Sequence, residues 1–385
     1  MLKKFAENKK LILTILSGLV LYLASSGISY AAFRYLAGPG RPTLISPLPV
    51  EEGRSKIDLS APKTEACPLN GGMFTKAERQ IWEARRPLTV MIENHQEARP
   101  QSGLSKADIV YEAVAEGGIT RLLAVFYCGA SAEDITIGPV RSARTYFMDF
   151  ASEYGDYPLY AHVGGANIPG PANALGQIGQ YGWLTKGNDL NQFAIGFPTF
   201  WRDYERIGHP VATEHTMYST VDKLWEVAHK RGLDADEGFV PWKFKNEVKS
   251  EDRGGVEKIE FDFWSGHSDY SVLWQYDKTA NHYLRFNDGQ PHKDLNNDTQ
   301  LWASTVIIQQ MKEKGPIDEL KHLLYTTTGT GKAIIFQDGQ AIQANWSKTN
   351  RQSRTKFTDE RGKEIEFNRG PIWIEIVPAG REISF

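Results

Sequence analysis

Between Leu11 and Phe33 the chain carries 23 consecutive residues without a charge, and no other feature restricts its folding so severely. At about 1.5 Å per residue, such a run makes a helix of roughly 34 Å, enough for a hydrocarbon core of about 30 Å. It has no polar face, so it does not read as a helix packed on a soluble body. Lys3, Lys4, Lys9 and Lys10 precede it, and a basic flank before a first span favours keeping that end in the cytoplasm. The pattern predicts a single-pass anchor in the cell membrane: residues 1–36 form the tail and span, and the bulk of the chain is extracytoplasmic. A cleavable signal peptide is the rival reading. Leu11 to Ala24 has the length of an h-region, and Ser29-Tyr30-Ala31 offers a small-x-small cleavage site.

Residues 37–66 read as a tether. Pro39, Pro42, Pro47, Pro49 and Pro62 are spread among Gly, Ser and charges, a composition that stays extended and buries no core. Beyond it, a 41% hydrophobic fraction is ordinary for a globular body, and a net charge of −3 gives no broad basic field, so nucleic acid is not an expected partner. Cys67 and Cys128 are the two cysteines. An exported chain can keep one disulfide between them, and two separate thiols is the alternative.

The patterning predicts an α+β protein with two domains after the anchor. In residues 67–235, Thr75 and Glu78 form a capping box for a helix through Trp82. Strand patterns cover 88–93, 108–114, 119–127 and 157–163, with Gly117-Gly118 as a tight turn. Helices are expected over 145–154, 171–181 and 221–231. Strands interleaved with helices argue a mixed α/β domain. Residues 239–385 read as a mainly antiparallel β domain, and Gln337-Asp338-Gly339 there is a hairpin turn.

Gly329-Thr330-Gly331-Lys332-Ala333 fails as a phosphate loop, because Thr326 stands where the first glycine belongs and Ala333 replaces the hydroxyl. No nucleophile elbow or zinc helix is present, and the nine histidines show no metal-ligand spacing. His162 and His215 read as buried, hydrogen-bonded histidines. The stretch 137–145 stands out. Arg141, Ser142, Arg144 and Thr145 gather where a strand leads into a helix, a setting that favours an anion, and arginine adds a planar fork that suits phosphate. Arg121 on a neighbouring strand adds a third charge, with Asp108, Glu112 and Asp149 as carboxylates near the same sheet edge. An internal salt-bridge network is the competing reading. The polar loop 94–104, which carries Arg99, follows a buried-looking strand, where function often sits. Trp264, Trp274, Trp302, Trp346 and Trp373 would stack on sugars if exposed and fill the core if not.

Pro87 to His95, Ala98 to Leu104, Ala107 to Glu112 and Glu116 to Arg121 resemble the YerB-like family of bacterial envelope proteins. So do Gly138 to Arg144, Ala161 to Gly165 and Gly370 to Ile374. The resemblance spans nearly the whole chain after the tether. It implies two domains and an envelope location, and no reaction. Members are often lipoproteins; this chain lacks the lipid-modified cysteine near its apolar segment, which would take over as anchor. A weaker likeness is to the LytR–CpsA–Psr phosphotransferases, through Ala107-Asp108, Val140-Arg141-Ser142 and Ala161 to Gly165. Ser142 replaces that family's acid and the arginine spacing differs. In a catalytic version, Arg121, Arg141 and Arg144 would neutralise a pyrophosphate and Asp108 would hold Mg2+. The functional expectation is a phosphorylated envelope ligand bound by Arg141, Arg144, Arg121, Ser142, Thr145 and Arg99. A non-catalytic surface for another envelope protein, or glycan binding by the β domain, is the alternative.

Overall fold

The computed structural model describes residues 17–22, 25, 57, 59–235 and 238–385. The chain divides into two compact units, residues 1–47 and 48–385. In the first, residues 17–22 and 25 are helical, and Leu19 to Tyr22 are exposed. Among the described residues no helix is long and apolar enough to cross a membrane. The rest of the expected span at 11–33, and most of the tether, lie outside the described residues.

The second unit is α+β and mostly sheet. A helix α1 (Lys76–Glu83) opens with the full capping box: Thr75 Oγ1 accepts from the Glu78 N–H, and the Glu78 carboxylate accepts from the Thr75 N–H. The strands are β1 (Leu88–Glu93), β2 (Ile109–Glu116), β3 (Ile119–Phe126), β4 (Leu159–His162) and β5 (Asp189–Asn191). Helix α2 (Thr145–Ala151) lies between β3 and β4, and α3 (Ala174–Gln180) between β4 and β5. After α4 (Val221–Lys230) come β6 (Lys258–Phe261), β7 (Val272–Asp277), β8 (His282–Asn287) and β9 (Thr305–Met311). The chain ends with β10 (Gly329–Gln337), β11 (Gln340–Lys348), β12 (Lys356–Thr358) and β13 (Ile372–Pro378).

Ten of these strands form one sheet in the order β12-β11-β10-β9-β13-β2-β3-β1-β4-β5. The sheet therefore runs through both predicted domains. Its joint is β13, which pairs parallel with β9 on one side and with β2 on the other. The C-terminal segment is thus less purely antiparallel than its sequence implies. The physical reason is burial: Ile372 to Val377 are all buried, and a strand covered on both faces reads as a continuous apolar run suited to an internal parallel position. β6, β7 and β8 form a separate antiparallel layer packed on the large sheet through the edge-to-face pair Trp274–Trp373.

Both hairpin turns arise where expected. Gly117 and Gly118 have φ of 59° and 83° between β2 and β3, and Asp338 and Gly339 have 53° and 65° between β10 and β11, as tight hairpins require. Gly329 to Ala333 lies within β10 and forms no phosphate loop. Trp274, Trp346 and Trp373 are buried, and Trp264 and Trp302 are half-buried. The five tryptophans therefore form no exposed row for sugar stacking.

Two charged clusters lie in the core. Arg285 on β8 pairs with Glu112 on β2 and Glu375 on β13, all three at 0% exposure, and its guanidinium lies over Trp373 and Trp274. Glu153, just after α2, holds Lys348 and accepts from Thr355. Both clusters tie the N-terminal segment to the C-terminal one.

Candidate functional site at the carboxyl edge of the sheet

β1, β2, β4 and β5 point the same way, so their carboxyl ends, at Glu93, Glu116, His162 and Asn191, share one edge. Open sheets of this kind bind ligands where neighbouring parallel strands diverge. β1 and β4 pair only from Leu88 to Val90. Beyond that the segment 139–143 enters between them. The Arg141 N–H donates to the Met91 carbonyl, and the Val163 N–H donates to the Arg141 carbonyl. The chain reaches this slot through Gly138, at φ 143°, where a Cβ would lie 2.8 Å from the Met217 carbonyl oxygen. A side chain is therefore excluded twice, by conformation and by space.

This route delivers the predicted arginines together. Arg121, the third residue of β3, lies opposite Glu93 and forms an ion pair with Glu116. Arg144 is the N-cap of α2 and grips Glu116 with a planar fork, Nε to Oε2 at 2.9 Å and Nη2 to Oε1 at 2.7 Å. Arg141 pairs with Glu93, and its Nη2 lies 3.9 Å from Glu214. Arg121 and Arg144 are 3% and 8% exposed at the side chain; Arg141 is 24% exposed. Arg141 is the guanidinium of the three that solvent reaches. Ser142 is half-buried and Thr145 buried at the same place.

The electrostatics are those of a cluster with one guanidinium in excess over its two inner carboxylates. Burial raises the Glu93 carboxyl, but His215, Arg121 and Arg141 together overcome it and hold it down to about 2. Burial also opposes ionisation of Glu116, and Arg121 with Arg144 overcome that as well. Burial, together with the like charge on Arg121, pushes the Arg144 guanidinium down. At the rim, Glu97 and Glu214 are exposed, and the Phe193 ring stands over Gly164 at 76% exposure.

Other predicted residues lie elsewhere. Asp108 precedes β2 at the opposite end of the sheet from Arg121. It is fully buried and accepts from the N–H groups of Tyr127 at 2.7 Å and Gly129 at 3.1 Å, and from Asn70 Nδ2 at 2.8 Å. Burial raises its carboxyl to about 7 against those donors. It therefore shares no pocket with the arginines, and the magnesium-plus-arginine arrangement is not assembled there. Local strand patterns gave no register, so they could not tell which end of β2 faces Arg121. Glu112 is engaged by Arg285. Asp149 accepts from Tyr181 and Thr327. Arg99 turns toward the C-terminal segment, donating to the Asn94 and Asp269 carbonyls at 3.0 Å and lying over Tyr270. Cys67 and Cys128 are joined by a disulfide. A cavity of about 810 Å3 is lined by α4 residues and Arg85, and by none of the arginine cluster.

Sequence reasoning missed the company that Glu93 keeps. His215 reaches it from 122 positions on, and a spacing of that length carries no local signal. His162 is buried, with Nδ1 at 2.6 Å from the Gly164 carbonyl and Nε2 at 2.6 Å from Asp189, so it is a strut between β4 and β5.

Residues 72–234 match the family model described as "Protein of unknown function (DUF3048) N-terminal domain". Residues 259–374 match the corresponding DUF3048 C-terminal domain. The chain is similar to "Putative lipoprotein YerB" of Bacillus subtilis (strain 168), with 31% identity over 326 residues, 84% of this chain and 89% of that protein. It is also similar to the crystal structure of YerB from Bacillus subtilis, with a TM-score of 0.65 and 30% identity, covering 83% of this chain and 100% of that one.

Proposed function

Since this chain belongs to the two-domain, YerB-like DUF3048 family, we propose that it is a membrane-held extracytoplasmic protein that binds a phosphorylated envelope ligand at the carboxyl edge of its sheet. YerB bears a lipoprotein's name, and lipoproteins are held by a modified cysteine. Here both cysteines of the sequence are joined to each other, which supports the apolar run 11–33 as the anchor. Alkaline phosphatase fused after Pro42 is expected to be active, because that reporter folds only after export. An inactive fusion overturns the location.

One observation carries the ligand reading: three guanidiniums converge on a strand edge that holds two inner carboxylates, and Arg141 meets solvent there. An incoming phosphate would meet Arg141 first, with Arg121 and Arg144 behind it as fixed positive charge. Arg141→Lys keeps the charge and loses the fork. It is expected to weaken binding of a pyrophosphate lipid analogue at least tenfold while the melting temperature stays within about 2 °C. The Arg121→Ala/Arg144→Ala pair instead strips the half-buried Glu116 carboxylate, 23% exposed, of both guanidiniums and is expected to cost about 3 kcal/mol of stability, the low end for breaking a buried pair. No measurable affinity in the unmodified protein would sink the ligand reading and leave the arginines as struts.

A further inference from the structure

Beside the arginines lies a second constellation that the anion reading does not use. His95 follows β1, and Glu97 stands two residues on, in the single 3₁₀ turn Gln96–Ala98. His215 closes another such turn, Thr213–His215. One ligand atom from each of the three residues lies within 4.8 Å of the others. We propose that His95, His215 and Glu97 form a binding site for a d-block divalent cation, zinc in the first instance, with one coordination position open to solvent beside Arg141.

His215 provides the strongest support. It is 5% exposed. Its Nε2 faces Glu97 Oε2 at 3.8 Å, and its Nδ1 faces Glu93 Oε2 at 3.7 Å. That Nδ1 is buried and has no hydrogen-bond partner. A metal-ligating histidine presents one nitrogen to the ion and gives its other N–H to a carboxylate, which fixes the ring and its tautomer. Glu93 stands where that carboxylate belongs and is itself held by Arg141. The His95 ring stacks on His215 with centroids 4.8 Å apart and planes at 12°, so both imidazoles come to one edge. The bond His95 Nδ1 accepts from the Glu97 N–H is long, at 3.3 Å, and is readily exchanged.

Size and chemistry select the ion. Zinc bonds of about 2.0–2.2 Å at tetrahedral angles set the ligand atoms roughly 3.3–3.6 Å apart. His215 Nε2 and Glu97 Oε2, 3.8 Å apart, already stand near that spacing; the widest separation among the three, within 4.8 Å, needs a closure of up to roughly 1.5 Å, supplied by rotation of the half-buried His95 ring and of the Glu97 side chain, 54% exposed. Two imidazoles and one carboxylate suit zinc and its d-block neighbours; magnesium and calcium prefer oxygen ligands throughout. Three protein ligands with one position left open is the pattern of zinc sites that bind water or a substrate atom.

The test uses the full chain in detergent, stripped with a chelator and titrated calorimetrically with zinc chloride alone in phosphate-free buffer. One equivalent should bind with a micromolar or lower Kd, and millimolar magnesium should not compete. His95→Asn and Glu97→Gln, both at solvent-facing positions, should each weaken binding at least tenfold. Cobalt should give a visible d–d band that the His95→Asn variant loses. Arg141→Lys should keep the zinc site while losing anion affinity, so the two readings fail separately. Absence of saturable zinc uptake overturns the site. So does equal uptake by the His95→Asn/Glu97→Gln double variant, which would place the zinc at surface groups elsewhere.

Discussion

Glu375 shows what one buried charge does in this core. Its Oε1 accepts from Trp274 Nε1 at 3.0 Å and from Arg285 Nη1 at 2.8 Å, and its Oε2 has no partner. Arg285 must also serve Glu112, so one guanidinium faces two carboxyls. Burial first, and the nearby Glu112 charge after Arg285's opposing pull, drive the Glu375 carboxyl well above its ordinary range. A raised carboxyl means that the unfolded chain gives up the proton first. Folding stability therefore falls as the pH climbs past about 4.5 toward the raised value. Glu375→Gln imitates the protonated form, keeping both bonds to Oε1. It is expected to gain a few kcal/mol at most over the unmodified protein at pH 9 and to match it near pH 5. Parallel melting curves across that range would show that Glu375 does not titrate in the fold. None of this was legible locally. Arg285, Glu112 and Glu375 sit on three strands whose proximity no short pattern encodes, whereas Arg141 and Arg144 are three positions apart and announced themselves.

Among the elements, those governed by neighbours in sequence were readable. Thr75 and Glu78 predicted the start of α1 because a capping box is closed within four residues. Asp338-Gly339 predicted its hairpin because both positions need positive φ. The disulfide belongs to the same level: it fastens the turn before α1 to the end of β3, and the two cysteines are 61 positions apart. Replacing both by serine is expected to cost about 4 kcal/mol in the chain-entropy model, read as a lower urea midpoint with a steeper slope, because the uncrosslinked unfolded chain exposes more surface. Two reactive thiols in the unreduced, denatured protein would rule the bond out. Strand pairing was less readable. β13 was seen as a strand, but its parallel position between β9 and β2 depends on partners 67 and 263 residues away. The placement of Asp108 failed for the same reason.

Taken entire, residues 48–385 behave as one unit although two family models divide them. β13 gives its two edges to different segments, and Arg285, Glu153 and Lys348 tie those segments through charges with no access to water. Cutting the chain at residues 236–237 and producing either piece alone is expected to give aggregated or unfolded protein, while co-production yields a soluble 1:1 complex. A well-dispersed spectrum from residues 59–235 alone would refute that unity. The place of β13 also sets an order in time. At about 5–20 residues per second, roughly 15–50 s pass between synthesis of β2 and synthesis of its parallel partner. Throughout that interval β2 presents a bare hydrogen-bonding edge, the kind that recruits strands from other chains. A chain built this way depends on whatever shields that edge until β13 arrives.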